Sequence, residues 1–334
     1  MNPSASLHPP VRLSNVPRPW LARLHPSLFG MVLGMLGLSG AWQRLGRMGV
    51  GGAAGVSSAL LFGAVSLLGL LLRWWGAKAT RVRGVVRQEW SHPVQGALLA
   101  LLPVSTLMAV ALLVPRYPAL AGVAFPVALL ALVFQGTMAW HVVAALSTGQ
   151  TPPELVTPAL YLPTVPGGFV GAMALDALGL HGWATLLVGM GLGAWALLEM
   201  RILNRLFSGP LPPALRPTLG IEMAPASVGA LVAATLWPGL PADVLMVFLG
   251  VASGPVLAVL TRWRYLAAVP FNVGFWSFSF PLAALAGATV EAVRHGGWPV
   301  AVATTAVGLA SAVGLFLAFK TVVLTARGKL LPSV

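Results

Sequence analysis

The sequence predicts an all-α, polytopic membrane protein with ten transmembrane helices paired as five hairpins around a central channel. Three observations predict it. Apolar residues make up 57% of the 334 positions and charged residues only 8%, against about 25% charged in soluble domains. The apolar residues fall in runs of the length that crosses a hydrocarbon core, about twenty residues. Prolines within those runs recur at the period of one helical hairpin.

Taken in order, the spans are 26–43, 50–72, 94–114, 119–144, 158–180, 182–200, 217–237, 241–261, 269–290 and 298–319. Residues 1–25 are a short tail. Its first 24 residues hold three arginines, five prolines and no apolar run, so it does not read as a cleaved signal peptide. Residues 26–320 form the transmembrane pore domain, and 321–334 a second tail. The loops are short, which leaves no room for a separate soluble domain.

Lys and Arg set the orientation. One side receives Arg12, Arg18, Arg23, Arg73, Lys78, Arg81, Arg83, Arg87, Arg201, Arg205, Arg216, Arg262, Arg264, Lys320, Arg327 and Lys329. The other receives Arg44, Arg47, Arg116 and Arg294. This asymmetry predicts a multi-pass protein of the cell (inner) membrane with both termini cytoplasmic. It also accounts for most of the +13 formal charge, so that charge is no sign of a nucleic-acid partner. Trp42, Trp74, Trp75, Trp90, Trp183, Trp237, Trp263 and Trp298 fall near the predicted ends, where an amphipathic ring prefers to lie.

The odd spans are broken by proline: Pro103 in the third, Pro163 and Pro166 in the fifth, Pro225 in the seventh and Pro281 in the ninth. Pro103, Pro163, Pro225 and Pro281 are separated by 60, 62 and 56 residues. The first span carries Gly30, Gly34, Gly37 and Gly40 instead. Even spans are smoother, with Pro126 and Pro255 as exceptions. Broken helices survive in lipid only where neighbours or water satisfy the freed backbone. Five bent odd helices inside and five straighter even helices outside meet that need, with the inner ring surrounding a channel. The plainer alternative is that prolines are simply frequent in membrane helices.

The ninth span reads FNVGFWSFSFPL over 271–282. At helical spacing Phe271, Phe275 and Phe278 share one face, and Phe280 points the other way, with Val273, Ala284 and Gly287 on its side. Pro281 has no N–H for the carbonyl of Ser277, which predicts a bend there. The stretch is either a kinked core helix or a ring plugging a passage.

LLPVSTLM (101–108), TPALYLPTVPGGF (157–169), LRPTLGIEMAPA (215–226) and FNVGFWSFSFP (271–281) resemble the tellurite-resistance/C4-dicarboxylate transporter family, bacterial relatives of the plant guard-cell slow anion channel and the fungal malate permease. SLFGMVLGMLGLSGAW (27–42) and the closing GKLL (328–331) fit the same pattern. The resemblance implies quasi-five-fold symmetry, a pore within each protomer, a homotrimer, and a pore occluded by one phenylalanine of the ninth helix. By motif that gate is Phe280, met by Gly30 and Val228. Gly34, Pro103, Pro163, Pro225 and Pro281 are the further pore-lining candidates.

Ionisable groups within spans are expensive and read as functional until explained. Glu222 is either a charge-bearing group in the passage or a helix-start acid paired near Arg216. Glu199 and Arg201 read as an interfacial ion pair, and Asp176 and Asp243 as solvated helix-end acids. Gln135 and His141 read as helix-to-helix contacts, and Lys320 as a snorkelling cation. There are no cysteines. The six histidines share no metal-ligand spacing with carboxylates, and no phosphate-binding glycine loop is followed by lysine. The expectation is therefore no catalytic residue, no metal, no cofactor and no enzyme. It is instead an anion channel or channel-like facilitator in the lipid bilayer, passing halides, oxyanions or dicarboxylates, with tellurite resistance as a possible consequence. The alternative is a proton-coupled C4-dicarboxylate permease in which Glu222 carries the proton.

Overall fold

The computed structural model describes residues 20–331, and all regular structure among them is helical. Nine helical segments are long and apolar enough to cross a membrane, so the chain is a multi-pass membrane protein. The helices are α1 (Phe29–Arg47), α2 (Ala53–Arg81), α3 (Val85–Ser91), α4 (Pro93–Leu99), α5 (Leu101–Leu113), α6 (Ala121–Ser147), α7 (Val165–Ala177), α8 (His181–Phe207), α9 (Ala224–Leu236), α10 (Ala242–Thr261), α11 (Trp263–Ala267), α12 (Ser279–Gly296) and α13 (Val300–Ala326). The first expected span, α1, is not one of the nine. It is helical over 19 residues, and Arg44 and Arg47 in its last turn lower its hydropathy. Arg12 and Arg18 of the expected tail lie outside the described residues. At the other end α13 continues to Ala326, past the start of the expected tail at 321.

Burial sorts the segments into two sets. Pro93–Leu113, Pro158–Ala177, Pro213–Leu236 and Val273–Gly296 bury 83, 89, 89 and 61% of their apolar stretches, whereas the five segments holding α2, α6, α8, α10 and α13 bury only 17–28%. The second set therefore presents apolar side chains outward, as a lipid-facing helix must. Thirteen residues of α1 are buried, which puts it with the inner set. The inner helices touch in a closed order: α1 on α5, α5 on α7, α7 on α9, α9 on α12, and α12 back on α1. Each also packs on the outer helix that follows it.

The prolines act differently from expectation. Pro103, Pro166, Pro225 and Pro281 stand within the first three residues of α5, α7, α9 and α12. In a first turn the backbone N–H has no intrahelical partner, so proline costs no hydrogen bond there. The α-helix containing Pro281 starts at Ser279, so no bond to Ser277 is lost and no internal kink results. The break in regular α-helix sits one step earlier, where a 3-10 turn meets the α-helix. Such turns cover 26–28, 158–161, 213–223 and 273–278, and the short α4 takes that place before α5.

Side chains close the carbonyls these junctions leave free. Gln135 of α6 donates from Nε2 to the carbonyls of Leu162 (2.9 Å) and Pro163 (2.7 Å). Ser277 donates to the Pro217 carbonyl and Ser105 to that of Phe29. The expected helix-to-helix role of Gln135 is thus specific: it caps a broken rod.

Glycine sets the α7–α8 spacing. A Cβ on Gly168 would stand 2.9 Å from both the Cα of Gly191 and the carbonyl oxygen of Leu187. Backbone atoms cannot swing away, so Gly168→Ala is expected to destabilise the protein by about 1–3 kcal/mol, the range for overpacking. Gly189 has open space around it, and Gly189→Ala should melt like wild type in the same detergent. Equal melting of the two variants would contradict the close approach.

Candidate functional site

The N-terminal halves of the inner rods enclose a cavity of about 450 Å³. Every inner rod lines it, with Gly30 from α1, Gln95 from α4, Pro166 from α7, Thr218 and Ala224 from the α9 rod, and Phe280 and Pro281 from α12. The closing segment adds Lys329. No carboxylate borders this space among the described residues, and its polar groups include His25, His92, Asn272 and Ser277.

Three of these polar groups cap the helix starts that open on the cavity. Asn272 Oδ1 accepts from the N–H of Gly274 at 2.9 Å. His25 Nδ1 accepts from the N–H of Ser27 at 3.2 Å, and His92 Nδ1 accepts from those of Val94 and Gln95 at 3.2 and 3.3 Å. A neutral imidazole accepting at Nδ1 carries its proton on Nε2. Burial, with smaller contributions from Lys78 and His92, lowers the His25 pKa to about 4. The unfolded chain therefore takes a proton near pH 6.5 that the folded chain refuses until about pH 4. Stability should fall as pH drops through that window and be unaffected above it. His25→Asn keeps an oxygen cap and does not titrate, so its melting temperature in detergent is expected to vary less between pH 7 and pH 4.5 than that of wild type. Parallel curves would exclude His25 as the group responsible.

Phe280 lines the cavity. It is 4% exposed. Its ring lies against α1 where glycine leaves room: a Cβ on Gly37 would stand 2.9 Å from Phe280 Cδ2 and 3.0 Å from Ala283 Cβ. Gly30 lines the cavity but faces Trp276, whose Cβ lies 3.4 Å from the position a side chain would take. Gly34 packs on Ser279 in the α1–α12 contact. Pro103, Pro163 and Pro225 are buried in the surrounding packing, and Val228 is fully buried in the same apolar cluster as Phe280. Of the residues expected around the passage, Gly30, Phe280 and Pro281 line the cavity. Phe271, Phe275 and Phe278 stack with centroids 5.7 and 6.1 Å apart, and the last two join a separate cluster with Leu219, Met223 and Leu266.

Other expected charges have other partners. Glu222 is 6% exposed, and its Oε2 lies 3.1 Å from Arg262 Nη1. Arg216 instead covers the Tyr265 ring at 4.0 Å and donates to the Tyr265 carbonyl. Glu199 accepts from Tyr161 Oη and from Trp195 Nε1, in place of the expected pair with Arg201. Asp176 pairs with His181 at 2.8 Å, and His141 lies against Trp90 with centroids 5.5 Å apart. No group of three metal-ligating side chains occurs among the described residues.

At the C-terminal ends of the inner rods lies a cluster that a count of loop charges misses. Arg44 of α1 reaches Glu291 of α12 (Nε to Oε1, 3.3 Å), Thr235 of α9 (Nη2 to Oγ1, 2.9 Å) and its own Gly40 carbonyl (3.2 Å). Glu291 also holds Arg294 at 2.8 Å. The signal was in the spacing, since Gly30, Gly34, Gly37, Ala41 and Arg44 recur every three or four residues and so share a helix face.

Residues 23–325 match the sequence model of the SLAC1 family, described as voltage-dependent anion channel. The chain is 28% identical over 292 residues to the tellurite resistance protein TehA homolog of Haemophilus influenzae, covering 86% of this chain and 85% of that one.

Proposed function

We propose that this chain, which belongs to the SLAC1 (voltage-dependent anion channel) family, passes small anions through the interior of its inner ring, with Phe280 as the gate. The observation that carries the reading is a cavity lined by all five inner rods, Phe280 among its walls, with no carboxylate among its described lining residues. Ten helices then work as five hairpins in quasi-five-fold array. Three copies assemble, each with its own pore, in the cell (inner) membrane with both termini cytoplasmic. Tellurite resistance is a consequence of such a passage, and halides, oxyanions and small dicarboxylates are its candidate cargo.

The chemistry follows from the lining. An anion entering a narrow apolar tube loses water. The N-terminal ends of the inner rods return part of that loss, because aligned peptide dipoles leave partial positive charge there even where His25, His92 and Asn272 already cap the first N–H groups. A lining with few fixed charges holds the ion weakly enough to release it. Lys329 and the basic residues near that mouth raise the local anion concentration, less so at high salt. A phenyl ring across the tube closes it by bulk and by excluding water.

The coupled-permease reading needs a carboxylate in the path. Glu222 is held by Arg262 and is absent from the cavity lining, which favours uncoupled passage. Purified protein in lipid vesicles tests this. Anion uptake should follow the anion gradient and voltage alone, and Glu222→Gln should leave it unchanged. Uptake that collapses without a pH gradient would sink the channel reading.

A further inference from the structure

We infer that Arg44 forms a second anion-coordinating and selectivity-setting site, in series with Phe280 and at the opposite end of the inner ring. The inference rests on the proposed anion passage and assigns a residue that the gate does not require.

The argument begins with position. α1 and α9 are not neighbours in the closed order of inner helices. A hydrogen bond from Arg44 on α1 to Thr235 on α9 at 2.9 Å therefore crosses the interior of the ring. The space beside Gly40 gives the same answer: it is bounded by Arg44 Nη1 at 3.3 Å, Leu112 Cδ2 at 3.4 Å and Met108 Cε at 4.0 Å. Arg44 thus stands among α1, α5, α9 and α12, two helical turns beyond Gly37, which carries the Phe280 ring. At 1.5 Å per residue that is about 10 Å along the axis.

Charge decides what Arg44 does there. Its side chain is 11% exposed and that of Glu291 is 8% exposed. A desolvated guanidinium needs an anion. Glu291 is shared, because Arg294 holds its other oxygen at 2.8 Å. Two arginines on one carboxylate leave one positive charge in excess. When Glu291 turns wholly to Arg294, Arg44 keeps only neutral acceptors, the Gly40 carbonyl and the Thr235 hydroxyl. A small inorganic anion that has passed Phe280 then takes the carboxylate's place. Along α9 lies a further donor. Ser227 Oγ is buried and finds no partner among the described residues. It sits between cavity-lining Ala224 and Thr235 on that helix. The arrangement is a relay of donors: capped helix starts, then a hydroxyl, then a guanidinium that exchanges one anion for another.

The test uses the full chain in planar bilayers, in a Phe280→Ala background so that the first constriction is open, with chloride as the probe. Glu291→Gln is expected to raise chloride current several-fold and to keep anion selectivity. Arg44→Gln is expected to lower chloride current several-fold and to move the reversal potential in a salt gradient toward that of the cation. Arg44→Lys should keep the wild-type reversal potential. Equal losses of current in Arg44→Gln and Glu291→Gln, with unmoved reversal potentials, would make Arg44 a structural staple and overturn the inference alone. If Arg44→Gln does not fold, Glu291→Gln decides: a rise supports the site, and an unchanged or smaller current overturns it. A Phe280→Ala protein that carries no chloride overturns both this inference and the proposed passage.

Discussion

Phe280→Ala is expected to raise constitutive anion conductance on the order of tenfold or more, which corresponds to removing about 1.4 kcal/mol or more from the barrier. The ring lines the cavity and lies against the bare backbone of α1 at Gly37. Truncation leaves a methyl group where a phenyl stood, and on the α1 side nothing fills the gap, because Gly37 has no side chain. The space joins the cavity, and water and anions follow. Fold stability falls as well, by about 3–5 kcal/mol if the gap stays empty, and by less if water fills it. Currents across single proteins in planar bilayers measure the effect directly. A Phe280→Ala current equal to wild type would remove Phe280 from the gate.

Lys78→Met is expected to cost about 3–5 kcal/mol, the range for removing one partner of a buried ion pair. Lys78 was counted above among loop charges, yet α2 continues to Arg81 and carries Lys78 into the interior with none of its side chain exposed. Its Nζ donates to the Leu24 carbonyl at 2.5 Å and to Glu89 Oε1 of α3. Three segments meet at this ammonium: α2, α3 and the entry to α1. Glu89 Oε2 has no hydrogen-bond partner among the described residues, and burial already pushes the Glu89 carboxyl up against the pull of Lys78. Without Lys78 that carboxyl must stay protonated in the folded state. Its folded pKa then lies further above the unfolded value, so the loss should be smallest below pH 4.5 and grow as pH rises. Thermal unfolding in detergent at several pH values checks this. Lys78→Met with Glu89→Leu should recover much of the loss, because no orphan charge remains. A double variant no more stable than Lys78→Met would contradict the pair as its cause.

Hydropathy read nine of the ten expected crossings because lipid demands apolar length, and the proline rhythm marked the starts of four of the five buried helices. Helix ends were less legible. The second span was expected to stop at 72 and α2 stops at Arg81; the sixth was expected to stop at 200 and α8 stops at Phe207. Charge ends a hydrophobic run, but Arg and Lys are good helix formers and the helix continues through them. The same reasoning hid Arg44 and Glu291, since a charge beside an apolar run reads as loop whether it faces water or the interior. The prolines marked the right places for the wrong reason: a sequence period locates a break without saying whether proline kinks a helix or starts one. The place of Phe280 on the cavity wall was legible through its opposition to the aromatic stripe, whereas its contact with Gly37 required the crossing of α1 and α12.

The chain contains no cysteine, so one introduced thiol gives an unambiguous probe of the path. Thr218→Cys, on the cavity wall, in a Phe280→Ala background is the measurement that bears most directly on passage through the ring interior. A charged methanethiosulfonate added from the cavity side should block the anion current, and the Phe280→Ala protein without the thiol should not respond. Current that persists after complete labelling of that cysteine would mean that ions travel elsewhere.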